Sequence, residues 1–192
     1  LPAGETAAEC FVEPAQPTLD PMSEASTKAV LGLLNALPNG VQAMSSDMKG
    51  LVQTSLNLGI LKTGAADVTM TFSVRSSVNA EKAALIETLK HTGATFGAAY
   101  SESGAYPAWE YRKESRLRTV MVDTFEQLYG KKPVVEAIHA GLECGIFSDA
   151  LPGLDAVSFG PQMHDIHTSR ERLDIASVAR TWDYLLAILK AL

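Results

Sequence analysis

The side chains of this chain best suited to chemistry near neutral pH are its four histidines, because imidazole is both the usual general base and the commonest metal ligand. His91 falls in an apolar-periodic run beside Thr92-Gly93, where an imidazolium complements the carboxyl end of a helix, a structural role. His139 opens His-Ala-Gly-Leu-Glu-Cys-Gly, residues 139–145, and His164 and His167 bracket His-Asp-Ile-His shortly after Gly160-Pro161. Zinc needs three or four ligands, so these two segments would have to converge to hold it, and no His-Glu-x-x-His pair completes a local motif. Cys10 and Cys144 lie far apart without metal-ligand or redox spacing. Neither a nucleophile elbow nor a glycine-rich phosphate loop is present.

The composition narrows the partners. With 22 acidic against 16 basic residues, a net charge of −6 and a pI near 5.2, the chain lacks the clustered cations that a nucleic-acid partner requires. No run approaches the ~18 apolar residues of a membrane span, and the first residues show neither the basic nor the apolar part of a secretory signal. The expected compartment is cytoplasmic. Beginning at Leu1 within what reads as an element, the chain suggests a piece of something longer.

Four prolines before residue 22 leave room only for a short strand at 9–12. Ser23 is placed to cap a helix over 24–36, stopped by Pro38-Asn39-Gly40. From Val41 to Ser77 the sequence is β-like, and two runs, 50–62 and 68–75, flank Thr63-Gly64-Ala65-Ala66-Asp67 as a hairpin, the second alternating strictly through Val68, Met70, Phe72 and Val74. A helix over 79–92 and a strand over 94–101 follow. The Gly-, Pro- and aromatic-rich stretch 101–115 reads as a crossing between domains, with a boundary near 104. Beyond it the periodicities predict a helix (116–129), a strand (134–138), a short helix opening near 142, a strand (156–159) and a terminal helix (175–192), the order of an α/β sheet with parallel strands. On that reading, the loops carrying His139, His164 and His167 leave the carboxyl ends of strands, where open α/β sheets keep their sites.

Six runs occur in order along most of the chain: LPNGV (37–41), LVQTSLNLGIL (51–61), SVRSS (73–77), GAYPAW (104–109), AIHAGLECGIF (137–147) and SFGPQMHDIHTSRERL (158–173). Together they resemble the aminoacyl-histidine dipeptidases, the PepD-like branch of the co-catalytic zinc aminopeptidase/carboxypeptidase family. The resemblance implies an α/β fold in two parts. Residues 1–104 would be a ferredoxin-like α/β lid of the dimerisation type, truncated at its N-terminal side, and 105–192 the C-terminal segment of the dinuclear-zinc catalytic domain. It implies two divalent metal ions, zinc first, with manganese or cobalt as alternatives, a small peptide substrate and a homodimer formed through the lid. Most of the family's metal ligands and its general-base glutamate would then lie outside this chain, so no catalytic residue is assigned here and the chain alone is expected to be inactive.

Carried over singly, the family's last metal ligand corresponds to His167, where Thr168-Ser169-Arg170 replaces the family's Ser-Pro-Asp while Glu171 is kept. Arg75, ending the alternating strand, matches the arginine that receives the substrate's carboxylate, for which a planar guanidinium is apt; a surface salt bridge is the structural alternative. Asn57 resembles a lid residue that orients substrate, against the alternative of a solvated strand amide. His139 and Glu143 would line the pocket opposite the metals, with Glu143 meeting a free amino group. For His139 the structural alternative is an imidazole hydrogen-bonded to a neighbouring loop, and for His164, which has no family counterpart, a solvated side chain. The rival functional reading is a non-catalytic α/β module that dimerises or binds a small ligand, its histidines incidental.

Overall fold

Strict alternation needs a partner strand to become a sheet, and the hairpin supplies one. The computed structural model describes residues 11–14, 16, 20–137 and 143–192, in which helix α1 (Glu24–Ala36) leads into three antiparallel strands, β1 (Gly40–Met44), β2 (Val52–Thr63) and β3 (Val68–Ser76), ordered β1-β2-β3. Ser23 caps α1 by accepting from the Ser26 amide. The ladder sets Leu56 opposite Val74 and Leu58 opposite Phe72, so that one face of the sheet is apolar. That face packs on helix α2 (Asn79–Thr95), closing a small core of Leu56, Leu85 and Leu89 with Leu37, Phe72 and Val74 around it. Helix α2 runs three residues beyond its expected end and takes up the start of the expected strand 94–101, and no strand forms there. Its stop is a left-handed Gly97 (φ 73°) with Ala98 N–H bonded to Gly93 O and Gly97 N–H to Ala94 O, the paired bonds of a Schellman motif. His91 therefore lies within the helix rather than at its terminus.

A second cluster gathers around helices α3 (Arg116–Tyr129) and α5 (Ile175–Ala191), capped by Ser115 and Asp174 and both strongly amphipathic as read from their spacing. Met121, Tyr184 and Ile188 form its buried centre, and the Tyr184 hydroxyl donates to Met121 O at 2.7 Å. Between these helices come α4 (Glu143–Ala150) and a two-residue hairpin ladder, β4 (Met163–His164) with β5 (Arg172–Leu173). The expected parallel strands are not formed: residues 134–137 and 156–159 belong to no ladder, and every strand pairing among the described residues is antiparallel. A β-branched run becomes a strand only beside another strand. Val134 and Val135 instead stand exposed, while Val157 packs on the second core and Phe159 meets the Tyr184 ring edge-on at 5.3 Å. Of the expected strand 9–12, residues 9 and 10 lie outside the described residues, and 11–12 have no regular structure.

Two polar seams fix the connecting segments. Asn79 accepts from the Ala108 amide (2.8 Å) and its own amide donates to Glu110 (2.9 Å), while the Lys82 ammonium donates to Tyr106 O at 2.6 Å and lies over that residue's ring. On the other side Gly145 is so close to Pro107 O, 2.9 Å from where a Cβ would sit, that α4 can approach this segment only with glycine there. Further along, Asp155 accepts from Ser115 Oγ (2.6 Å) and from Leu117 N–H (2.9 Å), tying 153–157 to the start of α3.

Burial opposes the charge of Asp155, but the bonds from Ser115 and Leu117, with Arg112 and Arg118 nearby, outweigh it and hold the carboxyl below its usual range. A depressed carboxylate stabilises the fold above the unfolded value, about pH 3.9, and that stabilisation is lost as pH falls through the folded value. Asp155→Ala should therefore lower stability at pH 7 by about 1–2 kcal/mol, as for a lost helix cap. The difference should shrink in acid, as pH falls through the lowered folded value. Urea unfolding of both proteins at pH 7 and in acid checks this, and a gap that grows in acid would reverse the sign.

Candidate functional site

Arg75 and Asn57 are neighbours because of the β2–β3 register. Ser55 faces Arg75 and Asn57 faces Ser73, so the two candidates sit diagonally on the sheet surface that points away from α2. Diagonal pairs lie roughly 7–8 Å apart. Both residues are exposed, and the Arg75 guanidinium makes no ion pair or hydrogen bond among the described residues, leaving its five donors free. A bulge at Gly59, just past Asn57, shifts the ladder by one residue, an interruption often found beside sites.

Directly behind Arg75, the buried Thr54 and Ser76 hydroxyls bond each other at 2.7 Å. The Glu81 carboxylate of α2 accepts from the Thr54 hydroxyl and from the Gln53 amide (2.5 Å). This cluster pins the first turn of α2 to the two strands that carry the candidates. Sequence reading missed it. The signal available was an acidic residue in a helix's first turn, which marks a dipole partner but does not reveal a bond to a residue 27 positions away.

His167 stands on the β4–β5 hairpin in an unusual conformation. It and Asp165 are the two non-glycine residues with positive φ among the described residues, at 65° and 52°. Such residues cost about 1–3 kcal/mol each and persist where the surroundings over-determine them. Here the surroundings do. Asp165 O accepts from both the amide (3.2 Å) and the hydroxyl (2.7 Å) of Thr168, Asp165 pairs with Arg172 at 3.0 Å, and the Glu171 carboxylate takes the His167 amide at 2.9 Å. These bonds brace the loop in which Thr168-Ser169-Arg170 stands in place of the family's Ser-Pro-Asp. Its imidazole is exposed and, among the described residues, has no hydrogen-bond partner, so both ring nitrogens are available to a ligand. His164, also exposed, lies in the ladder opposite Arg172.

Glu143 is the first residue of α4 and exposed, and His139 lies outside the described residues. The structure thus brings Asn57 and Arg75 together, and no hydrogen bond or ion pair joins them to His167 or Glu143. Nor do three or more metal-ligating side chains converge among the described residues. His167 fits a metal as one exposed imidazole donor, and the described residues do not complete the set. An opening of about 1170 Å³ lies elsewhere, between α3 and α5 and the unpaired segments around Val134 and Val157, and none of the four described candidates lines it.

No family model matches the chain. It is 36% identical over 165 residues to the cytosol non-specific dipeptidase of Escherichia coli K12, a match spanning 86% of this chain and 34% of that protein. Its structure resembles that of the aminoacylhistidine dipeptidase from Vibrio alginolyticus, with a TM-score of 0.85, 36% identity, and coverage of 95% of this chain and 37% of that one. Aminopeptidase PepT from Bacillus cereus shares the fold at a TM-score of 0.69 and 19% identity, over 86% of this chain and 45% of PepT. The chain spans about a third of the length of the two dipeptidases it matches.

Proposed function

We propose that the chain is a segment of a PepD-like dipeptidase, and that the longer polypeptide carrying it hydrolyses dipeptides of the aminoacyl-histidine type at two divalent metal ions, zinc first. The observation that carries the reading is His167: a free imidazole held in a left-handed conformation by a cross-bonded loop, at the position the family motif gives to a ligand. Two such ions supply a Lewis acid for the scissile carbonyl and an acidified water. This chain's own part is to bind and orient. The Arg75 guanidinium receives the substrate carboxylate, Asn57 on the same face holds the peptide in place, and Glu143 with His139 meets the amino end. Residues 1–104 act as the lid through which two copies dimerise, and 105–192 belong to the catalytic domain. The setting is cytoplasmic.

A segment that offers one ligand should bind zinc weakly and hydrolyse nothing by itself. Calorimetric titration of the 192-residue chain with zinc, beside the full-length polypeptide, tests this together with an Ala-His hydrolysis assay. The expected result is tight binding and turnover only in the longer protein. Stoichiometric sub-micromolar zinc binding by the chain alone would overturn the division of ligands. Absence of dipeptide turnover in the zinc-loaded longer protein would favour the non-catalytic module instead.

A further inference from the structure

We propose that Glu171 is a positioning residue for His167, fixing the direction of its imidazole through the backbone and not through the ring. The inference rests on the reading of His167 as a metal ligand. Its carboxylate accepts the His167 amide hydrogen at 2.9 Å, four residues away, while the Glu171 amide donates back to Thr168 O at 3.2 Å. The two bonds tie Glu171 into the turn from both its side chain and its main chain.

The other restraints of the loop act on its flanks. Asp165 is held by Thr168 and Arg172, and the ladder pairs Met163 with Leu173 and His164 with Arg172. Asp174 N–H closes the base of the hairpin on Gln162 O. Among the described residues, only the bond to Glu171 grips residue 167 itself. With φ at 65°, the Cα–Cβ bond of His167 leaves the chain in a direction that a right-handed or extended residue would not give it. Releasing the amide lets residue 167 return to the commoner regions, and the imidazole then leaves from a different direction. A ligand that must meet a metal within a few tenths of an ångström is sensitive to such a change, and partners that orient a ligand are commonly worth 10–100-fold in metal affinity.

The bond needs an oxygen acceptor and not a charge, which separates a positioning role from simple electrostatic attraction to a cation. Glu171→Gln keeps the acceptor and Glu171→Ala removes it. In the full-length polypeptide, selectively ¹⁵N-histidine labelled and metal-free, amide exchange at His167 should quicken about tenfold or more in the Ala variant and stay near the parent rate in the Gln variant. Zinc affinity should fall about tenfold with Ala and recover with Gln. Unchanged exchange in Glu171→Ala overturns the proposal whatever the metal does. Loss of zinc in His167→Ala without loss in Glu171→Ala also overturns it and leaves the ligand reading standing. Faster exchange with zinc affinity untouched in both Glu171→Ala and His167→Ala shows instead that the ligand reading has failed. A Gln variant as weak as Ala means that charge is at work, and the proposal falls.

Discussion

His167→Ala in the full-length polypeptide should strip one metal position and lower turnover by on the order of a hundredfold or more, since even the partners that merely orient a ligand are worth 10–100-fold. His164→Ala, three residues away, should leave both nearly unchanged. The contrast is sharp because the two imidazoles share a loop and an exposure but not a conformation: His164 sits in a regular ladder opposite Arg172, while His167 is turned out by its left-handed backbone. Metal analysis and dipeptide kinetics on both variants decide the matter. Damage from His164→Ala and none from His167→Ala would shift the ligand by one turn of the loop.

Arg75→Ala should reduce kcat/KM for dipeptides by about 2–5 kcal/mol, the loss typical when one partner of a desolvated charge pair is removed. Metal content should not change, because Arg75 lies on a sheet surface where the described residues form no metal-ligating cluster. Arg75→Lys should recover only part of the loss, since an ammonium cannot make the two parallel bonds of a guanidinium. The decisive comparison is between a dipeptide and its C-terminal amide. If the carboxylate is what Arg75 holds, the amide is already a poor substrate and loses far less on mutation. Equal losses on acid and amide would return Arg75 to a structural role on the strand.

The elements that can be read directly are those whose pattern is local. Ser23 announces its helix, and the alternation from Val68 to Val74 announces a strand whose partner lies one turn away. Arg75 and Asn57 could be named from type and motif, but their adjacency is a property of register, which a single strand does not carry. The failures are of three kinds. Gly93 falls inside a helix that tertiary packing and a Schellman stop carry on to Thr95, so the residues after it are not available to a strand. Val134, Val135 and the segment 156–159 have the composition of strands but no neighbouring ladder, and β-propensity describes fitness for a sheet, not the presence of one. Asp155, Glu81 and Asn79 escaped notice for a third reason: each acts on a residue 27 or more positions distant.

The bulge at Gly59 works as a change of phase along the hairpin. Before it, even-numbered residues of β2 point to the core and odd-numbered ones to the surface that holds Asn57; after it, Ile60 stands opposite Thr71 on that outer surface and Leu61 opposite Met70 on the inner one. The proximal half of the hairpin, bearing Asn57 and Arg75, and the distal half, ending at the turn near Gly64, thus keep separate frames. A residue gained or lost in the distal turn is taken up beyond the bulge, and the functional surface keeps its frame. Straightening the strand with Gly59 kept as an ordinary ladder residue would force the two halves into one phase, and either Ile60 would turn inward or Asn57 would leave the face it shares with Arg75.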